Sequence, residues 1–332
     1  MSELRKDPIV SRWVIISHER GKRPSDFPPI EEKKKNKHCP FCEGSESITP
    51  PEILAHRAGS QRDEPGWSLR VVPNKYPALR VEEPMDAQGE GLYDIMPGIG
   101  AHEVIIETPR HDQEITDLSD EHFYNVLNAY RDRILDLKKD MRLRYILIFK
   151  NRGSAAGATV EHTHSQLIAT PVVPKAVSEE IEGSIQHYRL KERCIYCDII
   201  HQELRDRKRV VFESDNYVAI EPFAARFPFE TWILPKRHQS HFENESSGSL
   251  KSLSPTFLEV LRRLDAALDR PPYNYFLHTA PVNKFDQPES YHWHLEIVPK
   301  LTKVAGFEWG SGFFINPTPP EEAAEYLRQI RI

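Results

Sequence analysis

Long hydrophobic runs are missing from this sequence. No stretch approaches the roughly 18 apolar residues that a membrane helix needs, and the opening MSELRKDPIV is charged where a secretory signal would be apolar. A basic excess is missing as well, because the formal net charge is −6, whereas binding to a phosphate backbone normally needs a positive surface. The composition therefore predicts a cytoplasmic protein that binds neither a membrane nor nucleic acid.

Cysteine is scarce, and all four copies fall in two C-x-x-C pairs, Cys39 with Cys42 and Cys194 with Cys197. A reducing compartment disfavours disulfides, which leaves zinc binding or a redox motif as the use of each pair. A redox C-x-x-C normally occurs once and opens a helix after a strand. Two copies in a histidine-rich chain favour zinc.

The two cysteine pairs begin two similar passages of the chain. Each passage continues with strand-like segments, a PRH or PKRH motif, a helical stretch and a final histidine-bearing strand. Apolar spacing predicts helices near 119–140 and 250–268, and alternation predicts the strands. A chain of 332 residues is long for one hydrophobic core. We therefore expect an α+β protein of two related halves, 1–171 and 194–332, each an antiparallel sheet with a packed helix, joined by a linker at 172–193.

The repeat pairs histidines as well as cysteines. His238 follows His111 by 127 positions and His292 follows His162 by 130, so these residues occupy equivalent places in the two halves. Each half then offers two cysteines and two histidines, the ligand set of a closed tetrahedral zinc site. The alternative is that His111 and His238 are surface histidines that follow strands. We expect two zinc ions per chain, held by Cys39, Cys42, His111 and His162 and by Cys194, Cys197, His238 and His292.

One strand carries a row of three polar side chains. In VEHTHSQLIATP, the side chains of His162, His164 and Gln166 share a face because side chains alternate along a strand. If zinc binds His162, His164 is left free beside the glycine-rich turn KNRGSAAGA. A neutral imidazole can attack phosphorus to give a nucleotidyl-histidine, from which a second acceptor takes the nucleotide. Gln166 and the amides of the turn, including that of Gly157, would stabilise the phosphoryl charge. The alternative is a histidine packed near zinc.

The motif HTHSQ resembles the H-x-H-x-Q motif of the galactose-1-phosphate uridylyltransferase branch of the histidine-triad superfamily. The resemblance covers nearly the whole chain, through CPFC, VPNKYPAL, PRH, PFAARFPFE, PKRH, HTAP and GFE. It implies two histidine-triad-like halves, a homodimer, and His164 as the nucleophile beside a zinc-bound His162, with Gln166 as a phosphate-binding amide. It also implies phosphate contacts at Asn151 and Thr159, nucleotide-pocket residues at Arg23 and Asn74, and a sugar contact at Glu308. For Arg23 and Glu308 a salt bridge or a surface charge is the alternative.

The departures from that branch bear on the substrate and on the second metal. The branch carries S-N-P before its histidine motif, whereas this chain has TVE, and a hexose-contacting glutamine after GFE is not evident. In these respects the chain resembles ADP-glucose phosphorylases. His278, His292 and His294 resemble a three-histidine metal site of the uridylyltransferases, so the second site has two candidate ligand sets, of which we favour the cysteine set. Iron is the alternative metal there. His294 corresponds to His164 but is read as a degenerate copy.

These patterns favour a ping-pong nucleotidyltransferase that acts on a nucleoside-diphosphate sugar through His164. The leading interpretation is transfer of uridylyl from UDP-glucose to a hexose 1-phosphate such as galactose 1-phosphate. The alternative within enzymes is adenylyl transfer to phosphate by an ADP-glucose or dinucleoside polyphosphate phosphorylase. A second alternative is a non-catalytic zinc module that binds nucleotides, against which the free His164 and Gln166 argue.

Overall fold

The computed structural model describes residues 2–17 and 39–332. Its helices are α1 Asp120–Leu137, α2 Lys175–Lys191, α3 Ile195–Asp206, α4 Ser247–Leu268, α5 Gly306–Ser311 and α6 Pro320–Gln329. Its strands are β1 Ser2–Lys6, β2 Trp13–Ser17, β3 Leu54–Arg57, β4 Trp67–Pro73, β5 Gln88–Glu90, β6 Tyr93–Ile95, β7 Ala101–Ile106, β8 Tyr145–Arg152, β9 His164–Thr170, β10 Val210–Glu213, β11 Tyr217–Ile220, β12 Thr231–Pro235, β13 Tyr273–His278, β14 His294–Pro299 and β15 Phe314–Asn316.

One antiparallel sheet runs through both halves of the chain. Its ten strands lie in the order β10-β11-β12-β14-β13-β8-β9-β7-β4-β3. The first half contributes β3-β4-β7-β9-β8 and the second contributes β10-β11-β12-β14-β13, which is the same order read from each outer edge. This arrangement confirms the expected α+β fold and its internal repeat.

The two half-sheets are joined rather than separate, which the sequence did not indicate. Strand β13 pairs with β8 in an antiparallel register that sets Tyr273 opposite Arg152 and Leu277 opposite Ile148. Each of these strands would otherwise be an edge with a row of unsatisfied backbone groups. Pairing them satisfies both edges and brings the second half against the glycine-rich turn of the first.

The main core lies between the sheet and the two long helices. Helices α1 and α4 bury Phe123, Tyr130, Phe257 and Leu261 against the sheet. Ser119 caps α1 by accepting a hydrogen bond from His122 N at 3.2 Å, and an equivalent serine caps α4. Both helices fall where apolar spacing predicted them.

The segment predicted as a linker contains helix α2, and α3 starts directly after Cys194. Helix α2 is polar and buries only Val177 and Ser184, so its sequence lacks the apolar stripe that identifies a packed helix. Its Glu180 carboxylate accepts a hydrogen bond from Tyr291 at 3.0 Å, which fixes the helix over the second half of the sheet.

A smaller sheet pairs two strands from the beginning of the chain with one from near its end. Strands β1 and β2 pair antiparallel, and β15 from the end of the chain pairs parallel with β2. Within the described residues, no helix combines the length and the apolar character needed to cross a bilayer.

Candidate active site and metal centres

The first predicted ligand set forms one cluster. Cys39, Cys42, His111 and His162 each present a ligand atom, and these atoms all lie within 4.8 Å of one another. Cys42 Sγ is 3.5 Å from His111 Nδ1 and 3.6 Å from His162 Nδ1. A tetrahedral zinc ion with the usual bond lengths separates sulfur and nitrogen ligands by about 3.5 Å. The four residues therefore fit that ion.

The second predicted ligand set repeats this geometry. Cys197 Sγ lies 3.5 Å from His238 Nδ1 and 3.6 Å from His292 Nδ1, and Cys194 completes the cluster. His292 Nε2 donates to the Pro235 carbonyl at 2.9 Å, as His162 Nε2 donates to Thr108 at 2.7 Å. Such carbonyl partners leave Nδ1 unprotonated and turned toward a metal. The structure thus brings His292 to the cysteines, as the favoured ligand set required.

The rival set of three histidines is not formed, and a different cluster holds two of its members. Glu180, His278, His294 and Glu296 present polar atoms within 4.8 Å of one another. Burial lowers the pKa of His278, but the Glu180 carboxylate, 3.2 Å from its Nδ1, outweighs burial and raises that pKa to about 8. Glu296 could have been found from strand alternation, since it lies two residues after His294. Nothing in the sequence predicted that Glu180 would join this cluster, because its segment was predicted to be a linker.

His164 begins strand β9 on the face opposite the helices and is almost fully buried. Its Nδ1 donates to the His162 carbonyl at 2.7 Å, which leaves the lone pair on Nε2. The ring of Phe41 contacts it edge-on, with centroids 5.1 Å apart. Burial, reinforced by the nearby Lys150 ammonium, lowers the pKa of His164 to about 4, so the imidazole is neutral near pH 7.

A cavity of about 300 Å³ opens beside His164. Its lining brings together His162, His164, Asn151 and Thr159. Asn274, from strand β13 of the other half, donates to Asn151 Oδ1 at 2.7 Å and to the Ala156 carbonyl at 2.8 Å. This contact leaves the Asn151 amide hydrogens available to a ligand, and sequence reasoning missed it because the pairing of β13 with β8 was not foreseen.

The backbone amides of the glycine-rich turn are engaged differently from what the sequence predicted. Gly153 and Gly157 both have positive φ, of 77° and 89°, which the tight turn requires. The Gly157 N–H donates to the Ser154 carbonyl at 3.0 Å, and the amides of residues 156 and 158 donate to the Gly153 carbonyl. Three of the amides expected to face a phosphate are thus engaged within the turn. Gly157 contributes the shape of the turn, and its own N–H is engaged within it.

Gln166 and Asn74 meet at a residue that sequence reasoning did not single out. His102 Nε2 is 2.9 Å from Gln166 Oε1 and 3.2 Å from Asn74 Nδ2. An apolar cluster that shares Phe41 with the His164 environment lines the same face of the sheet. Its members are Phe41, Trp67, Val72, Val104 and Ile106.

One predicted contact, Glu308, is not brought to this site, and the place of another is not described. Arg23 lies outside the described residues. Glu308 sits in the exposed helix α5, where its carboxylate accepts a hydrogen bond from Ala305 N at 3.0 Å. Of the described residues that line the cavity at His164, none belongs to α5.

Comparison with known proteins defines the class of protein to which this site belongs. Residues 1–174 match the family model "Galactose-1-phosphate uridyl transferase, N-terminal domain", and residues 181–328 match the corresponding C-terminal domain. An ADP-glucose phosphorylase from Arabidopsis thaliana is 39% identical over 99% of this chain and 93% of that protein. A galactose-1-phosphate uridylyltransferase from Thermotoga maritima is 31% identical over 100% of this chain and 99% of that protein.

Solved structures give the same result. A crystal structure of an ADP-glucose phosphorylase from Arabidopsis thaliana with bound ADP-glucose aligns with a TM-score of 0.84 at 35% identity, covering 100% of both chains. A uridylyltransferase structure aligns with a TM-score of 0.77 at 30% identity, covering 99% of this chain and 97% of that chain. The protein is therefore an enzyme of the nucleotidyltransferase type. It belongs to the galactose-1-phosphate uridyl transferase family.

Proposed function

We propose that the enzyme works through a covalent nucleotidyl group on His164. The observation that carries this proposal is the hydrogen bond from Nδ1 to the His162 carbonyl, which leaves Nε2 of a neutral imidazole as the nucleophilic atom. Nε2 attacks the α-phosphorus of a nucleoside-diphosphate sugar, and the bond from that phosphorus to the bridging oxygen breaks to release a sugar 1-phosphate. An acceptor phosphate oxygen then displaces the histidine and carries the nucleotide away.

Asn151, which lines the cavity, and Gln166, which shares the strand face of His164, are the side chains that we assign to the transferring phosphoryl group. Each has its amide oxygen engaged by another side chain, Asn151 by Asn274 and Gln166 by His102. Their amide hydrogens can then donate to oxygens on which charge develops in the transition state. Thr159 lines the same cavity and adds a hydroxyl donor. The nucleophile belongs to the half of residues 1–171, and the half of residues 194–332 holds the degenerate copy around His294.

ADP-glucose and inorganic phosphate are the proposed substrates. The support is the 39% identity to an ADP-glucose phosphorylase over nearly the full length of both proteins, against 31% for the Thermotoga uridylyltransferase. The sequence favoured UDP-glucose and a hexose 1-phosphate, and this pair remains the second candidate because of that full-length uridylyltransferase relative. The residues 159–161 that precede HTHSQ depart from the uridylyltransferase pattern, which supports the adenylyl donor.

Two zinc ions are proposed as resident metals, one in each Cys₂His₂ cluster. Paired thiolates with imidazoles in tetrahedral spacing suit zinc better than iron, which the sequence left open for the second site. These thiolates need a reducing compartment, which supports placing the enzyme in the cytoplasm. The metals would fix strand ends and histidine orientation, and each chemical step proposed here uses the chain's own side chains.

A homodimer is also proposed. Leu92 and Tyr93, at and beside the tip of the β5–β6 hairpin, are 96% and 73% exposed, and Trp309 in α5 is 80% exposed. Large exposed apolar side chains that lie together, as the adjacent Leu92 and Tyr93 do, are a feature of contact surfaces. Light scattering should give twice the chain mass, and Leu92→Asp should shift the protein toward the monomer.

The function is tested by trapping the intermediate. The enzyme is mixed with ADP-glucose or UDP-glucose labelled at the α-phosphate, in the absence of acceptor, and the protein is assayed for acid-labile label. We expect stoichiometric label from ADP-glucose, released as ADP when phosphate is added. His164→Ala should abolish labelling, while the matched variant His294→Ala should retain it. Absence of label from both donors would overturn the proposal, and label from UDP-glucose alone would select the second candidate.

A further inference from the structure

The amide group of a glutamine side chain carries a donor nitrogen at one end and an acceptor oxygen at the other, and only the nitrogen can serve the proposed reaction. The amide nitrogen of Gln166 can donate to a phosphoryl oxygen, whereas the amide oxygen would repel it. Rotation about the last torsion exchanges the two ends at little cost, since this torsion is broad and roughly two-fold. A residue that fixes this rotation therefore bears directly on phosphoryl transfer.

The backbone of Ala78 determines which nitrogen of His102 carries the proton. Ala78 N–H lies 3.2 Å from His102 Nδ1 and can only donate. His102 Nδ1 must then accept, and the neutral ring carries its single proton on Nε2. That Nε2–H lies 2.9 Å from Gln166 Oε1 and donates to it.

Asn74 encloses the ring from the other side. Its Oδ1 accepts from Tyr76 N at 2.9 Å, so its amide nitrogen faces His102 Nε2 at 3.2 Å. Two donors meet at that contact, which is therefore packing and not a hydrogen bond. The backbone of Asn74 also donates to the His102 carbonyl at 2.8 Å. His102 is thus held between a turn and strand β7, with Gln166 Oε1 as the acceptor for its ring proton.

We propose that His102 is a positioning residue that fixes the Gln166 amide so that its nitrogen faces the nucleotidyl phosphate. This inference rests on the proposed function. Within residues 2–17 and 39–332, no recorded hydrogen bond engages Gln166 Nε2, so both of its hydrogens are available once Oε1 is held. Neither the histidine motif nor the metal clusters include His102, and it makes its contribution through Gln166.

The test is a double-mutant cycle on the rate of nucleotidyl-enzyme formation in the full-length protein. His102→Ala should lower that rate about 10-fold with little change in the donor KM, because it loosens a donor that acts mainly in the transition state. In the Gln166→Ala background, His102→Ala should have no further effect. His102→Gln, whose amide can donate in place of Nε2–H, should restore part of the rate. His201→Ala, at an exposed histidine of α3, is the matched control and should label at the wild-type rate.

Three results would overturn the inference. Independent, additive losses from His102→Ala and Gln166→Ala in an enzyme that labels normally would remove the coupling while leaving the proposed function intact. Nitrogen NMR of the wild-type histidines supplies a readout that needs no turnover, and a proton on Nδ1 of His102 would contradict the inferred tautomer even if His102→Ala failed to fold. Failure of the wild type to label at all would overturn both proposals together.

Discussion

Lys150 is a cation enclosed by protein directly beneath the proposed nucleophile. Its side chain is 2% exposed, and Nζ donates to Glu107 at 2.6 Å, to Thr163 at 2.8 Å and to the His164 carbonyl at 2.9 Å. These three bonds use all three hydrogens of the ammonium group. Lys150 and Glu107 thus form a satisfied buried pair that also holds the backbone of His164.

Lys150→Met should destabilise the protein by about 3 kcal/mol, because it leaves the Glu107 charge buried without a partner. Urea unfolding measures the loss. Lys139→Met, at a lysine whose side chain is 75% exposed, is the control and should change stability by less than about 0.5 kcal/mol. Equal effects of the two substitutions would contradict the structural role of the buried pair.

Glu221 is a second buried carboxyl group, and it has no cationic partner among the described residues. Thr231 donates to its Oε1 at 3.1 Å, while Oε2 is buried without a hydrogen bond. Burial raises the pKa of Glu221 well above its usual value of 4.5, and the nearby carboxylates of Glu230 and Glu321 raise it further. The folded protein therefore keeps a proton there that the unfolded chain loses.

This proton makes stability depend on pH in a definite direction. Above pH 4.5 the unfolded chain binds fewer protons than the folded one at Glu221, so stability falls as pH rises toward the folded pKa. Glu221→Gln removes this term, and its stability relative to wild type should increase by about 1.4 kcal/mol per pH unit in that window. Denaturant unfolding at several pH values measures the slope, with Glu325→Gln at an exposed site as control. Parallel curves for wild type and Glu221→Gln would contradict it.

At the scale of elements, strand β9 joins the first Cys₂His₂ cluster to the proposed nucleophile. His164 starts the strand, and His162, two residues earlier, belongs to the first cluster. The second cluster has no such neighbour, since His294 is stacked on His278 at 4.9 Å within the cluster of Glu180, His278, His294 and Glu296. The two metal sites should therefore differ in their effect on chemistry although they share one geometry.

Removing one metal at a time separates these effects. Cys42→Ser and Cys197→Ser should each lower zinc from two to one per chain, as measured by plasma emission spectrometry on folded protein. Labelling of His164 should be lost in Cys42→Ser, because His162 no longer fixes the neighbouring backbone, and retained in Cys197→Ser. Equal loss of labelling in both variants would contradict the division of roles.

Sequence patterns predicted the elements whose side chains repeat and missed those held only by tertiary contacts. Two C-x-x-C pairs and the near-equal separation of the histidine pairs were sufficient to predict both ligand clusters, and apolar spacing was sufficient for α1 and α4. Helix α2 was missed because it is polar and buries only Val177 and Ser184, so no apolar stripe marks it in the sequence. His102 was missed because a single histidine in a predicted strand carries no motif, and its role depends on a turn more than twenty residues earlier.

At the scale of the molecule, the two halves share one sheet, and the site takes residues from both. The pairing of β8 with β13 leaves no pattern in the sequence, since any two exposed edges with suitable twist can pair. This pairing places Asn274 of the second half against Asn151 of the first at 2.7 Å. In the proposed mechanism, the half of residues 194–332 therefore contributes through the orientation of Asn151, without a nucleophile of its own.

Asn274→Ala tests this dependence of one half on the other. It should slow nucleotidyl-enzyme formation by about 10-fold, because Asn151 loses the partner that holds its amide oxygen. Rapid-quench labelling measures the rate, and Asn216→Ala at an exposed loop is the control. A wild-type rate in Asn274→Ala would show that the first half orients its own donors.

The central claim is that His164 Nε2 carries the nucleotidyl group, and peptide mapping by mass spectrometry tests it most directly. The enzyme is treated with ADP-glucose without phosphate, quenched in alkali to preserve the phosphoramidate, digested and mapped. We predict an adenylyl group on the peptide containing His164, on the histidine at 164 and not at 162, and its loss when phosphate is added before quenching. Adenylyl on any other residue, or an unmodified His164 in protein that consumes ADP-glucose, would contradict the account.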